Sequence, residues 1–600
     1  MEDPMRPTVA LSLPHVVCLL ALAASAGAQT APTARWNAAE RGAVADGSTD
    51  CTAAIQAVLD EAGKAGGGIV ELPAGRYRVN GNLSIPANVT LQGTYRVPPT
   101  VRRNEVAEMT GSVLLAYAGR GKPEDPPFIR LAGNCANLAG LIVYYPEWRR
   151  ADVPPAPYPP CVLSMDTENV GVQDCCFVNP YEAIKLVRAH RHLVRNVTGY
   201  PIRRGIFVDE CYDIGHIENI HFWPFGVVYR ADDPYCLWIN TNGVAFELAR
   251  TDWHYVLNTF CFGYGVGYLF SESRSGSTNG NFLGLGADSC QRAVVVEQAQ
   301  APGLLITNGE FVGRWSSTDA VTVDIGPRVT GKVSLQNCSF WGPIDRCVVM
   351  RAGAGQFTAS GCNFVSWDQR HQQSPAIQID AGAAIVQGCT FGPGDVHVRV
   401  AKGVRSAIVM GCQADAGVTV ENQAGERAQL VANQPDPVRW TAAARARYAI
   451  DVGSTGDSRY LRRWYAPERV PVEGRVRTQR WSTPASSLSL PVAPGRAYTL
   501  RLELTVPAGA RAADAGLYLG GLRLATLPRG DRLATITASL PPSAVDRVTL
   551  ALRCKGWVPR TTLPGSQDDR ELGLAVYRAT MTARGSSGRT FNANTGEWLP

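Results

Sequence analysis

The chain has 600 residues, 45% of them apolar, with 60 glycines, 40 prolines and a formal net charge of +6. That apolar share can bury a sizeable core and excludes broad disorder, and glycine without a three-residue period excludes a collagen-like fibre. Lysine and arginine are scattered, which argues against a nucleic-acid partner, and beyond the N-terminus no stretch is apolar for the ~18 residues that a membrane span needs.

Residues 16–24 (VVCLLALAA) form a short apolar run, and Ala26-Gly27-Ala28 supplies a small-residue cleavage site. Residues 1–28 are therefore expected to be an export signal and the mature protein to be secreted, extracellular or periplasmic. Cleavage would leave 15 of the 16 cysteines. Export permits disulfides, but no C-x-x-C pair exists and many cysteines sit in a repeated position, so stacked buried thiols are expected.

The next legible element is a helix starting at residue 51. Ile55, Val58 and Leu59 share one of its faces, Thr49 or Asp50 can cap it, and Gly66-Gly67-Gly68 ends it before a strand at residues 69–72. From there a short turn element recurs: Gln173-Asp174-Cys175, Arg195-Asn196-Val197, Glu218-Asn219-Ile220, Thr307-Asn308-Gly309, Gln336-Asn337-Cys338, Ser360-Gly361-Cys362, Gln387-Gly388-Cys389 and Met410-Gly411-Cys412. The period is in the low twenties, and each unit carries short β-branched runs with no helix-length segment between them. Such a period predicts a solenoid of stacked coils. Stacking explains a column of Asn or Asp at the turn and an internal ladder of Cys175, Cys338, Cys362, Cys389 and Cys412. The helix at residue 51 then caps the open end of the first coil.

Residues 41–50 (RGAVADGSTD), Ala54-Ile55-Gln56, residues 72–77 (LPAGRY) and residues 89–93 (VTLQG) resemble the opening of the pectate lyase superfamily. The resemblance is to its rhamnogalacturonase, polygalacturonase and tailspike branch. It implies an all-β fold: a right-handed parallel β-helix over residues 35–432 with an N-terminal capping helix. It implies a polysaccharide as partner, and leaves open hydrolase, lyase, epimerase and non-catalytic members.

The catalytic aspartate motifs of polygalacturonases do not carry over, since the Gly-His-Gly element is absent. The repeat register supplies candidates instead. Aligning residues 183–187, 205–208 and 226–229 as one strand column stacks the residues that follow them. These are Arg188 and His190, then Asp209 and Glu210, then Arg230, Asp232 and Asp233. Coils about 4.7–4.9 Å apart would bring Asp209, Glu210, Asp232 and Asp233 within the spacing of a glycosidase carboxylate pair. The plainer reading is a solvated coil edge. A second group, Glu182, Lys185, Arg203 and Arg204, could grip a uronate or supply a lyase base, or be a plain salt bridge. A third, Asp252, Trp253, His254 and Tyr255, interrupts the coil rhythm and could stack on sugar rings or pack as a structural loop. Trp148, Trp223, Trp238 and Trp253 fall in the same third of the chain, which places the site between residues 140 and 275 and leaves 300–430 as scaffold. No metal framework is legible and no cofactor is required; calcium would serve only the lyase reading.

The repeat fades near Val420. Residues 433–446 read as a linker, 447–585 as a jelly-roll-like β-sandwich, and 586–600 as a loose tail. The expected function is a secreted polysaccharide-cleaving enzyme, a hydrolase using paired carboxylates. The alternatives are a lyase using Arg and calcium, or a non-catalytic glycan-binding or adhesion protein.

Overall fold

The computed structural model of the protein describes residues 34–96, 109–224, 229–230, 232–314, 319–370, 372–414, 417–435, 438–528 and 530–600. The expected export signal and residues 226–228 of the strand column above lie outside the described residues.

The capping helix α1 spans Thr52–Lys64 and buries Ile55, Val58, Leu59 and Ala62. Asp50 helps start it: its Oδ1 accepts the Thr52 N–H at 3.0 Å and the Thr52 hydroxyl at 2.6 Å. Ile55, Val58 and Leu59 each contribute roughly 1.5–3 kcal/mol by covering the first coil's core. Among the described residues, 35 strands then form one parallel ladder wound into a parallel β-helix. Three faces can be followed through it. The first sheet runs through Val162–Glu168, Glu182–His190, Arg204–Asp209, Val244–Leu248, Val266–Phe270 and Arg292–Val296, each paired with the next but one in sequence. The second and third sheets are the two halves of longer strands such as Leu193–Tyr200, His216–Phe222 and His254–Phe262.

The corner between the second and third sheets explains the repeated turn element. Asp174, Asn196, Asn219, Asn308 and Asn337 all have φ between 50° and 54°, and Gly361, Gly388 and Gly411 continue the column at 58–61°. Asn tolerates this left-handed conformation and Gly pays no Cβ penalty there. The side chains bond along the stack: Asn196 Nδ2 donates to Asp174 Oδ1 at 2.9 Å, Asn219 to Asn196 at 2.8 Å, and Asn337 to Asn308 at 2.8 Å. Asn258 and Gly284, also at positive φ, fill the interval that the sequence spacing left open. One residue further, Cys175, Cys338, Cys362, Cys389 and Cys412 point into the core, and all 15 described cysteines are free thiols. Beside them Phe311, Phe340, Phe364 and Phe391 stack at centroid spacings of 5.5, 4.8 and 5.0 Å.

The coil rhythm breaks once in a way the sequence reading did not anticipate. The strand that pairs with Arg204–Asp209 on the first sheet is Val244–Leu248, not residues 226–229. Between lies an insertion that ends in helix α2, Pro234–Asn242.

Beyond residue 438 a second body begins, with its own core. Ten largely antiparallel strands, among the described residues, are joined in one continuous hydrogen-bonded sheet. The boundaries differ from the expected linker and tail. Val438 is already buried, Trp440 packs against Tyr448 at 4.7 Å, and Phe591–Asn592 pairs with Arg447–Asp451. The last residues are therefore docked rather than loose. No helix among the described residues is long and apolar enough to cross a membrane.

Candidate active site

Extra chain flanks the first sheet on both sides. On one side, the turn of residues 145–161 and the insertion carrying α2 pack together: Trp148 lies 5.6 Å from Tyr235, Tyr181 lies 6.4 Å from Trp238, and Arg150 pairs with Asp233 at 3.5 Å. On the other side, the corner toward the second sheet carries Arg188, Glu210, Tyr212, Arg250 and Arg274.

Between these walls the outward positions of adjacent strands form a column fixed by register: Leu163, Lys185, Phe207, Glu247 and Leu269. Next to it Arg204 donates to Glu182 at 2.7 Å and to Glu247 at 2.9 Å, and its guanidinium lies 4.6 Å over the Phe207 ring. Burial alone would lower the Arg204 pKa, but the two carboxylates outweigh it and hold the guanidinium charged. Lys185 has no hydrogen-bond or ion-pair partner among the described residues; its ammonium stands 6.0 Å from the Phe207 ring. Asp209 accepts the Arg250 N–H at 3.0 Å and the Ser273 hydroxyl at 2.9 Å. Glu210, only 7% exposed, pairs with Arg188 at 3.2 Å and Arg274 at 3.6 Å. The Arg188 hydrogen bond holds its carboxyl below the usual range.

The four-carboxylate column is therefore not formed. Asp209 and Glu210 are neighbours on one coil, but Asp232 and Asp233 belong to the insertion. Asp232 is exposed on its turn. Asp233 is the N-cap of α2, accepting Tyr235 N at 3.0 Å and Cys236 N at 3.2 Å, with Pro234 at the first helical position.

The third group is split by the fold. His254 is fully buried beside His192, ring centroids 5.1 Å apart, and cannot meet a substrate. Asp252 is taken up by Arg250, Asn279 and Gln300. Trp253, 60% exposed, donates to the Tyr255 hydroxyl at 3.0 Å, and Tyr255 stacks on His216 at 5.1 Å. These rings lie on the second sheet, round the corner from Lys185. His190 accepts Tyr212 N–H at 3.2 Å, and Arg203 lies at the turn into the Arg204 strand. Tyr212, Arg250, Arg274 and Glu247 are site residues that the sequence reading missed. Glu247 was hidden because the misplaced register left its strand unassigned, although residues 244–248 (VAFEL) read as a buried strand.

Residues 300–430 are not plain scaffold at their surface. Asp319 gathers Arg292 and Arg346 at 3.0 Å and Arg370 at 3.5 Å, and Asp324 takes Arg351. No group of three or more His, Cys, Asp or Glu among the described residues is arranged to hold a metal. The carboxylates flanking Lys185 are engaged by Arg204, so they do not fit a calcium ion.

Residues 36–134 match the family described as rhamnogalacturonase A/epimerase, pectate lyase-like. The matched residues are the capping helix and first coils of the parallel β-helix, which in that stretch resemble pectate lyase-like proteins. Over 116 residues it is 36% identical to the mannuronan C5-epimerase AlgE3 of Azotobacter vinelandii, covering 18% of this chain and 6% of that protein. Over 65 residues it is 49% identical to alginate lyase 7 of the same organism, covering 10% of this chain and 8% of that protein. The matched stretches thus span under a tenth of either relative. Among solved structures, it is similar to the A-module of Azotobacter vinelandii mannuronan C-5 epimerase AlgE6, with 15% identity, a TM-score of 0.36, and coverage of 66% of this chain and 98% of that one. The tailspike of E. coli bacteriophage HK620 gives 11%, 0.41, 92% and 94%.

Proposed function

We propose that the protein is a secreted enzyme acting on a uronate-containing polysaccharide, and that it moves the proton on the carbon beside the uronate carboxylate, as a lyase or an epimerase. The observation that carries this reading is the charge arrangement of the first sheet. Lys185 stands there uncommitted beside an aromatic ring, while Glu182 and Glu247 are spent on Arg204. Proton removal beside a carboxylate drives charge onto its oxygens, and a preorganised cation lowers that barrier. Lys185 is placed to meet the carboxylate while the proton from the neighbouring carbon passes to solvent at this open face, and Phe207 offers an apolar surface to a sugar ring. Hydrolysis asks instead for a carboxyl that keeps its proton near neutrality. Glu210, held below the usual range by Arg188, is unsuited to that part. The short stretches shared with proteins named for mannuronan and alginate support a uronate polymer as the class of substrate.

The test is incubation with polymannuronate, polygalacturonate and a neutral β-glucan. Ultraviolet absorbance of unsaturated uronate and reducing ends would be followed together, with proton NMR for inversion at C5. Unsaturation or C5 inversion on a uronate polymer supports the reading. Reducing ends without unsaturation would make the enzyme a hydrolase and overturn the proton-transfer assignment. Binding without any reaction would make it a glycan-binding protein and overturn the enzymatic reading.

A further inference from the structure

A large concavity lies away from the first sheet. It is a cleft of about 1640 Å³ where the coils of residues 343–395 meet the C-terminal domain. Single small-molecule sites occupy roughly 300–1,000 Å³, so this cleft suits an extended ligand. Its coil side presents Gln372 and Gln373 and its other side the half-buried Tyr465, while Trp367 and Trp464 beneath them belong to the two cores. Aromatic surfaces facing amide donors and acceptors are the chemistry that holds sugar rings.

The charges lining the cleft can be accounted for one by one. Asp395 pairs with Arg462 at 2.7 Å across the two bodies, and Asp568 with Arg570 at 2.7 Å. Arg480 is buried on Asp457 at 2.7 Å, and Asp569 is held by Arg560 at 2.9 Å. Asp368 is occupied by the N–H groups of Gln372, Gln373 and Ser374 at 2.8–3.1 Å. Two exposed guanidiniums remain: Arg463 has no partner among the described residues, and Arg553 has only the Tyr518 ring, 4.7 Å away. The unspent charge is cationic.

We infer that this cleft is a second binding site, separate from the first-sheet face, for an acidic oligosaccharide whose carboxylates meet Arg463 and Arg553 and whose chain runs past Tyr465. The choice of a uronate ligand rests on the proposed function; the existence and sign of the site rest on the cleft itself. A site shared by both bodies would hold a second stretch of the same polymer while the first sheet works on another, raising the local substrate concentration.

The probe is a saturated hexauronate, titrated calorimetrically into a Lys185→Met protein that leaves it uncleaved, and cleft binding is read as the part of the signal that substitutions in the cleft remove. Binding is expected to persist there and to weaken by about tenfold or more in Arg463→Ala/Arg553→Ala, since two charge-assisted contacts are lost. Ala466→Trp, an exposed lining position that a large side chain would fill, should block it without touching a charge. A neutral hexasaccharide should bind far more weakly. Hexauronate binding that ignores all three cleft substitutions, no binding at all, or equal binding of the neutral sugar would each overturn the inference. Cleft-dependent binding in a protein inert toward every uronate polymer would retain this site and discard the proposed activity; turnover without cleft binding would do the reverse.

Discussion

His254 offers a sharp quantitative test because it was a candidate substrate ligand and is instead sealed in the core. Neither of its ring nitrogens, nor Nε2 of His192, has a partner among the described residues. Burial pushes the His254 pKa well below 6.5 and that of His192 down to about 4. The unfolded chain therefore takes up protons below pH 6.5 that the folded chain refuses. Stability is full above 6.5 and falls with pH until the folded pKa is passed. Each pH unit in that window costs about 1.4 kcal/mol per histidine. For His192, between 6.5 and about 4, the loss is about 3 kcal/mol. Replacing His254 by Leu removes two orphaned polar atoms and one such group. The variant is expected to be more stable at pH 7 by about 1–3 kcal/mol, with the advantage widening as pH falls toward 4. Urea unfolding of both proteins at several pH values measures this, and the difference cancels groups common to both. Asp395 is one of these: burial pushes its pKa up to about 6, so it favours folding as pH falls. A variant less stable than wild type, or a difference independent of pH between 7 and 4, would refute the reasoning.

Asp233→Ala should cost about 1 kcal/mol of stability through loss of the α2 cap and leave turnover within about twofold, read by denaturation and by activity of the folded fraction. Asn219→Ala loses the bond to Asn196 and strains a residue at φ 52°, so it should destabilise by about 1–2 kcal/mol. Asn219→Gly, which keeps the conformation, should cost less, and thermal unfolding of the pair separates the two effects. Arg204→Met would leave Glu182 and Glu247 facing each other without their shared cation; a loss of about 3 kcal/mol or more is expected, partly restored on acidification as the carboxylates protonate.

The solenoid was legible because its corner is chemically demanding. Asp174, Asn196, Asn219, Asn308 and Asn337 recur where the backbone must turn left-handed, and few residue types accept that. The capping helix was legible because Ile55, Val58 and Leu59 keep a helical period between a polar start and a glycine stop. The charged face was legible only in part. Glu182, Lys185 and Arg204 lie on coils of regular length, so counting placed them on neighbouring strands. Glu247 lies beyond the insertion, where counting fails. Asp232 and Asp233 fit a stacked column with Asp209 and Glu210 by counting, whereas Asp233-Pro234 is also the signature of a helix start, and only packing decides between the two. His254 alternates inward while Tyr255 alternates outward. That parity depends on the bend at Trp253, at φ 51°, which the sequence does not advertise.

The most direct measurement is proton exchange at C5 of a uronate polymer in deuterated water, followed by NMR for wild type and Lys185→Met. Wild type should introduce deuterium at C5 or form unsaturated ends, and Lys185→Met should slow either signal by about a hundredfold or more with its fold intact. Undiminished exchange in Lys185→Met, or chain cleavage by wild type with neither C5 deuterium nor unsaturation, would contradict the assignment of proton transfer to the first sheet.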